Sequence, residues 1–376
     1  MKYCAKINNF NLDVLDLFLV FIGILILGNV IINSQPIYLI AFIVILAFIA
    51  FNTNSWQKYV LIFLIWLVYC LLLVFLKIEL SIKQLNNFIN QINPNFYSLR
   101  NKAINYLNSI YSNSTSQYIN LLLFNNKGNN PVYELTKQLS ITHLIVVSGL
   151  HINVLLFIFN KTIFLKVKNH YYQSVFQVIF CFIYSYFLAY SISVLRITIN
   201  SIIKLFFNKC DSKKINCYSG MIILLFLKNE VTSYGFLMSY LCSIGICILA
   251  FYICNKLTLT IVINGFCILI TLPFVIKMNG KINIFSFFYN YMFACLIIFD
   301  YLWFLIFAWF KPFIGINNYL TKSMIDLMHI NLDLAVFIVA KPWKTTITAV
   351  YYTTFLFIFS SYTNYKMNNF VYKNVF

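Results

Sequence analysis

Along the chain, apolar residues gather into runs long enough to cross a bilayer, punctuated by short polar stretches. Spanning needs about 20 mainly apolar residues, with about 17 to 25 tolerated. Residues 14–32, 59–76, 144–165, 174–195, 234–254, 257–276 and 285–310 approach or meet that length. Shorter runs cover 37–51, 198–207, 217–227 and 331–340, the last followed by "KPWK" and a further run at 345–360. The pattern predicts an all-α, polytopic integral membrane protein with about ten to twelve membrane segments. The short segments are expected as re-entrant pieces or half-helices, which must face protein or water rather than lipid.

The long polar interval is 78–118. Leu85, Phe88, Ile89 and Ile92 recur at helical spacing, Pro94 interrupts, and Ile104, Leu107 and Tyr111 resume the pattern. Two amphipathic helices follow from this, lying on the outer membrane surface or packed on the bundle; the pattern serves both. Lys2 and Lys6 place the N-terminus inside, so 78–118 is expected outside and the lysine-bearing loop "CDSKKINC" (210–217) inside. The first run has no small-residue cleavage site after it and is expected to remain as a span. The chain then reads as N-terminal spans (1–77), an extracytoplasmic segment (78–120) and one larger membrane domain (121–376).

Composition strengthens this picture. Of 376 residues, 61% are hydrophobic and 10% charged, and the mean hydropathy is +0.82; a soluble domain carries about a quarter charged residues. The net charge of +18 suits cytoplasmic loops held at an anionic membrane face, and would also attract a polyanion. Arg100 and Arg196 are the only arginines, the other basic residues being lysines, so an arginine in an odd place is informative. Most of the ten cysteines lie in apolar runs, and no CxxC pair suggests a zinc or redox site.

Candidate chemistry is sparse. There is no GxxxxGK[ST] loop, and the four histidines form no HExxH or HxHxDH cluster. Asp326, His329 and Asp333 share a helical face, which reads as solvated rather than metal-binding. Ser148 and His151 are helical neighbours, but a nucleophile also wants an orienting acid and an oxyanion hole; the nearest acid is Glu134, and Val146 stands where a GxSG glycine would be. Arg196 closes "FLAYSISVLR", where it either snorkels or faces a cavity. Asp300, inside "CLIIFDYLWFLIF", needs a partner if buried, and Arg196 is the most economical one.

At this point the sequence resembles a known family. "THLIVVSGLHINVLL" is similar to the HLLAISGLHVGLL signature of ComEC-type competence proteins, the inner channel for DNA uptake. "LLLFNNKG", "YSISVLRIT", "YGFLMSYLCSIGI", "FSFFYNYMFA" and "KPWKTTITAVYY" resemble further family segments in family order, over roughly 121–359. The resemblance places Arg196 on the family's arginine, Gly235 and Ser239 in its GFQLS segment, and Asn290 on its asparagine. It implies a channel passing single-stranded DNA through the cell membrane, without cofactor, metal or catalysis. His143, Ser148, His151 and Arg196 would be transient phosphate partners, and Gly149 would admit close backbone approach or break the helix.

Two departures stand out. The interval 78–118 is too short for the family's OB-like domain, and the chain ends too soon after residue 360 for its nuclease domain. Val146, Ile197 and Met238 are larger than the family's small residues and would narrow a pore. The implied partners are the bilayer, single-stranded DNA and a separate receptor, nuclease and cytoplasmic helicase, with a homodimer as an open option. A secondary transporter of a small anion and a Ser148-based intramembrane hydrolase are the rival expectations. Salt sensitivity separates the first, because a polyanion engages many cations at once.

Overall fold

The computed structural model describes residues 14–33, 42–43, 56–75, 94–145, 149–162, 170–188, 190–207, 211–227, 233–252, 255–341 and 351. The fold is α-helical, with one short two-stranded ladder among the described residues. Two compact units share the chain. One comprises Met1–Ser81, Lys209–Pro273 and Trp343–Phe376; the other comprises Ile82–Asn208 and Phe274–Pro342.

The first unit contains α1 (Val14–Asn33), α2 (Trp56–Phe75), α9 (Ser212–Phe226), α10 (Tyr234–Tyr252) and α11 (Lys256–Asn279) up to Pro273. On α1 a Cβ at Gly23 would overlap the Trp66 ring. The bare glycine therefore lets the indole of α2 lie on the α1 backbone, where its Nε1 donates to the Val20 carbonyl at 3.0 Å. Phe21, Phe236 and Tyr240 pack together, with ring centroids 4.6 to 6.1 Å apart.

The second unit is built on α4 (Asn113–Phe124), buried along most of its length. Against it pack α3 (Pro94–Ile110), α5 (Pro131–Gln138), α12 (Ser286–Phe307) and α13 (Ile314–Asp333), and the unit also holds a single helical turn (Thr142–Ile145), α6 (Gly149–Lys161), α7 (His170–Phe187) and α8 (Ile192–Phe206), with α8 packed on both α6 and α7. Local sequence explains several ends. Asn130 caps α5, its side chain accepting from the Val132 and Tyr133 N–H groups, and Pro131 occupies the first turn, where a missing donor does no harm. Arg100 binds two helix ends at once: Nε donates to the Phe187 carbonyl of α7 at 2.9 Å and Nη2 to the Phe124 carbonyl of α4 at 3.0 Å. Those carbonyls have no acceptor role inside their own helices, and a cation complements the dipole there.

Among the described residues two helices are long and apolar enough to cross a bilayer, Thr258–Lys277 and Ser286–Phe307, with shorter apolar helices at Val60–Leu72 and Lys214–Phe226. The described residues thus show two full-length candidates of the expected ten to twelve segments. The run at 174–195 is divided between two helices. After α7 the chain turns through Tyr190, held at φ 50° with its N–H on the Ser185 carbonyl at 2.8 Å, and Ser191 starts α8. The run at 331–340 is not a span either. There α13 ends at Asp333, and β2 (Phe337–Val339), apolar and partly β-branched, pairs antiparallel with β1 (Lys281–Asn283).

Three smaller expectations gain detail. Pro94 begins α3, the second of the two amphipathic helices expected, as its fixed φ and absent N–H favour. Ile104, Leu107 and Tyr111 are buried in the core of this unit, so α3 packs on the bundle. The "CDSKKINC" stretch is not a loop throughout, because α9 takes it up from Ser212 and buries Cys217 completely. Leu85, Phe88, Ile89, Ile92, Lys2, Lys6, Cys210, Val146 and most of the runs at 37–51 and 345–360 lie outside the described residues.

Candidate functional site

The signature segment and the arginine segment meet in the second unit. A Cβ on Gly149 would lie 2.7 Å from Nη2 of Arg196 and 3.1 Å from Cδ1 of Ile197. Ordinary contact is 3.4–4 Å, so the half-buried guanidinium of α8 occupies the space that any larger side chain on α6 would need. Ile197 makes the same approach, which gives its bulk, relative to the family's small residue, a definite position against the glycine.

His151, two residues on, is fully buried and meets the ring of Tyr301 edge-on at 4.5 Å. The Tyr301 hydroxyl in turn hydrogen-bonds the Tyr184 hydroxyl of α7. Two residues on from Arg196, Thr198 shares a 2.7 Å hydrogen bond with Ser185, and Ser185 donates to the Cys181 carbonyl at 2.6 Å. A polar seam thus runs between α6, α7, α8 and α12 in surroundings that are otherwise apolar. Buried polar groups persist in such a place when they are hydrogen-bonded.

The expected Arg196–Asp300 pair does not form. The buried Asp300 carboxylate accepts from the Tyr118 hydroxyl of α4 at 2.7 Å, and among the described residues it makes no ion pair with Arg196. Consecutive residues on a helix point about 100° apart. When Tyr301 faces α6 and α7, Asp300 therefore turns to α4. A hydrogen bond to a charged acceptor is stronger than a neutral one, so the Tyr118 hydroxyl offsets part of the cost of burying the carboxylate.

The remaining candidates are dispersed. Asn290 is buried near the start of α12, about 15 Å along the helix axis from Asp300, and its Oδ1 has no hydrogen-bond partner among the described residues. Gly235 and Ser239 belong to α10 in the first unit; Gly235 is exposed, with open space where a Cβ would point. His143 lies in the turn Thr142–Ile145, and Ser148 lies outside the described residues. Asp326, His329 and Asp333 are exposed on α13. Among the described residues no group of three His, Cys, Asp or Glu is placed to hold a metal.

Sequence reasoning missed Tyr118, Tyr184, Tyr301 and the double clasp of Arg100. Arg100 carried a signal in its rarity. The tyrosines carried none, being three of 27.

Comparison with known proteins gives a consistent picture. Residues 122–363 match the family described as Competence protein. Uncharacterized protein MG316 of Mycoplasma genitalium is 26% identical over 235 residues, which is 61% of this chain and 60% of that protein. The homolog of MG316 in Mycoplasma pneumoniae is 25% identical over 206 residues, 54% of each chain. The chain therefore spans a little over half the length of these relatives. No solved structure matches it significantly.

Proposed function

Because this chain belongs to the Competence protein family, we propose that it is the membrane-embedded element through which single-stranded DNA enters the cell during DNA uptake. The carrying observation is the contact of Gly149 with the Arg196 guanidinium. Two segments that define the family resemblance converge there on one cation, set against a backbone with no side chain to cover it. An arginine presents a planar fork of donors that matches a phosphate bidentately. In an apolar environment such a group is expensive, and intramembrane charges of this kind mark pathways.

In this reading Arg196 takes successive phosphates, and His151 and Tyr301 form the wall that holds α6 at the right distance. Gly149 must stay small, because a side chain there would push the guanidinium aside. The protein sits as a multi-pass component of the cell membrane and works together with receptor, nuclease and helicase activities. It acts without a cofactor and catalyses no covalent step.

The test is DNA uptake combined with strand binding over a salt series. Arg196→Ala should abolish uptake while membrane insertion persists, and lysine should restore little, since it lacks the fork. For single strands each phosphate contact contributes about 0.7 to the slope of log affinity against log salt, so the alanine variant should lose about that much. Full uptake with an unchanged slope would overturn the proposal.

A further inference from the structure

A second polar feature of the same unit lies away from Arg196. A cavity of about 430 Å³ opens between α3, α4 and the loop 126–129, within the ~300–1,000 Å³ usual for small-molecule sites. Asn108, Asn113, Ser116, Gln117, Asn120 and Asn130 line it. Four of these recur at one face of α4 (113, 116, 117 and 120), so the helix itself presents the lining. Among the lining residues none is ionisable and none aromatic.

That composition narrows the ligand. A free anion would be met by cations, a divalent cation by carboxylates, and an apolar group by hydrocarbon. Amides instead offer a donor and an acceptor side by side in one plane. Their complement is a flat edge that also carries both, and the amide–adenine pairing is the standard example in nucleic-acid recognition.

The internal hydrogen bonds show which atom is left for a ligand. Asn130 is fully engaged: Oδ1 caps α5 and Nδ2 donates to the Gln117 carbonyl at 2.9 Å and the Asn126 carbonyl at 3.5 Å. Ser116 donates to the Asn113 carbonyl at 3.0 Å. Asn120, only 4% exposed, donates from Nδ2 to Asn108 Oδ1 at 2.8 Å, while its own Oδ1 has no hydrogen-bond partner among the described residues. A buried acceptor in that state is unfavourable until a donor arrives. The rim residues Asn108, Asn113, Asn126 and Asn129 are exposed, so the mouth of the cavity is open; Asn120 Oδ1 is itself buried, and the Asn120 side chain must turn to meet a ligand.

We infer that this cavity reads the bases of the translocated strand, taking an unpaired nucleobase whose exocyclic amine donates to Asn120 Oδ1. Adenine and cytosine carry that amine; thymine and an abasic sugar do not. The inference rests on the DNA-uptake reading above, and it assigns the base contact to residues other than the phosphate contact.

The experiment uses the full chain in detergent or lipid nanodiscs with labelled oligo-dA, oligo-dC, oligo-dT and abasic strands of equal length, followed by anisotropy. Oligo-dA and oligo-dC should bind about tenfold tighter than oligo-dT and the abasic strand. Asn120→Leu should bring all four to the abasic level, and the exposed-rim variants Asn113→Ala and Asn108→Ala should each close part of the gap. The rim variants keep the test decisive if the buried substitution fails to fold. Equal binding of all four strands, lowered in common by Arg196→Ala, would overturn the base site and leave the DNA reading standing. Binding of no strand at all would overturn both. A base preference untouched by the three asparagine variants would place base reading elsewhere and refute this assignment.

Discussion

Gly149→Ala is the smallest change that probes the meeting of the signature and arginine segments. The new methyl would lie 2.7 Å from Arg196 Nη2, against 3.4 Å for the near limit of ordinary contact, so the guanidinium must retreat by 0.7 Å. Ile197 Cδ1, at 3.1 Å, must retreat by a further 0.3 Å in its own direction. Both are ends of flexible side chains, which puts the cost within the ~1–3 kcal/mol typical of overpacking. Replacing a helical glycine returns about 0.5–1 kcal/mol of backbone entropy. The net expectation is a loss of up to about 2.5 kcal/mol in stability. Thermal unfolding of the purified chain, repeated in an Arg196→Ala background, isolates the contact. Without the guanidinium most of the clash is gone, so the alanine should become neutral or stabilising, with a coupling of at least about 0.5 kcal/mol. Equal effects of Gly149→Ala in the two backgrounds would refute the contact, and so would stabilisation of the parent protein.

Other substitutions address the supporting structure. Arg100→Ala should cost about 2–4 kcal/mol, because two hydrogen bonds from a charged donor to helix-end carbonyls are lost together, and Arg100→Lys should recover less than half since a single ammonium replaces two nitrogens held apart on the planar fork; chemical denaturation measures both. Tyr118→Phe should destabilise by about 1–3 kcal/mol by leaving the Asp300 carboxylate without its donor, and adding Asp300→Asn should recover part of that loss by removing the buried charge. An exposed Asn113→Cys should react in intact cells with an impermeant maleimide if residues 78–118 face outward, whereas the buried Cys217 should react only after unfolding. Labelling of the engineered cysteine only in permeabilised cells would reverse the expected topology.

Much of the helical content was legible because apolar runs and their polar breaks act locally. The runs at 14–32, 59–76, 234–254, 257–276 and 285–310 correspond closely to α1, α2, α10, α11 and α12. Boundaries were less legible where one residue controls the chain direction. Tyr190 takes a left-handed conformation that nothing in its side chain announces, and it divides a run that composition alone would continue. Phe337–Val339 is apolar enough for a helix, yet it pairs with Lys281–Asn283 because that distant segment offers backbone partners.

The candidate site divides along the same line. By itself the sequence determined the residue types with chemistry to offer: a rare arginine, a glycine flanked by Ser148 and His151, and an acid in an apolar run. Scarcity made those visible, since a charged residue within an apolar run is costly and must be compensated. Tertiary structure decided the pairings. Arg196 met Gly149 rather than Asp300, and Asp300 met Tyr118, because α12 turns two consecutive residues toward different neighbours. A hydrogen bond depends on tenths of an ångström and on direction. Those quantities arise only when α4, α6, α8 and α12 are packed, and no spacing along the chain encodes which of 27 tyrosines will stand beside a given carboxylate.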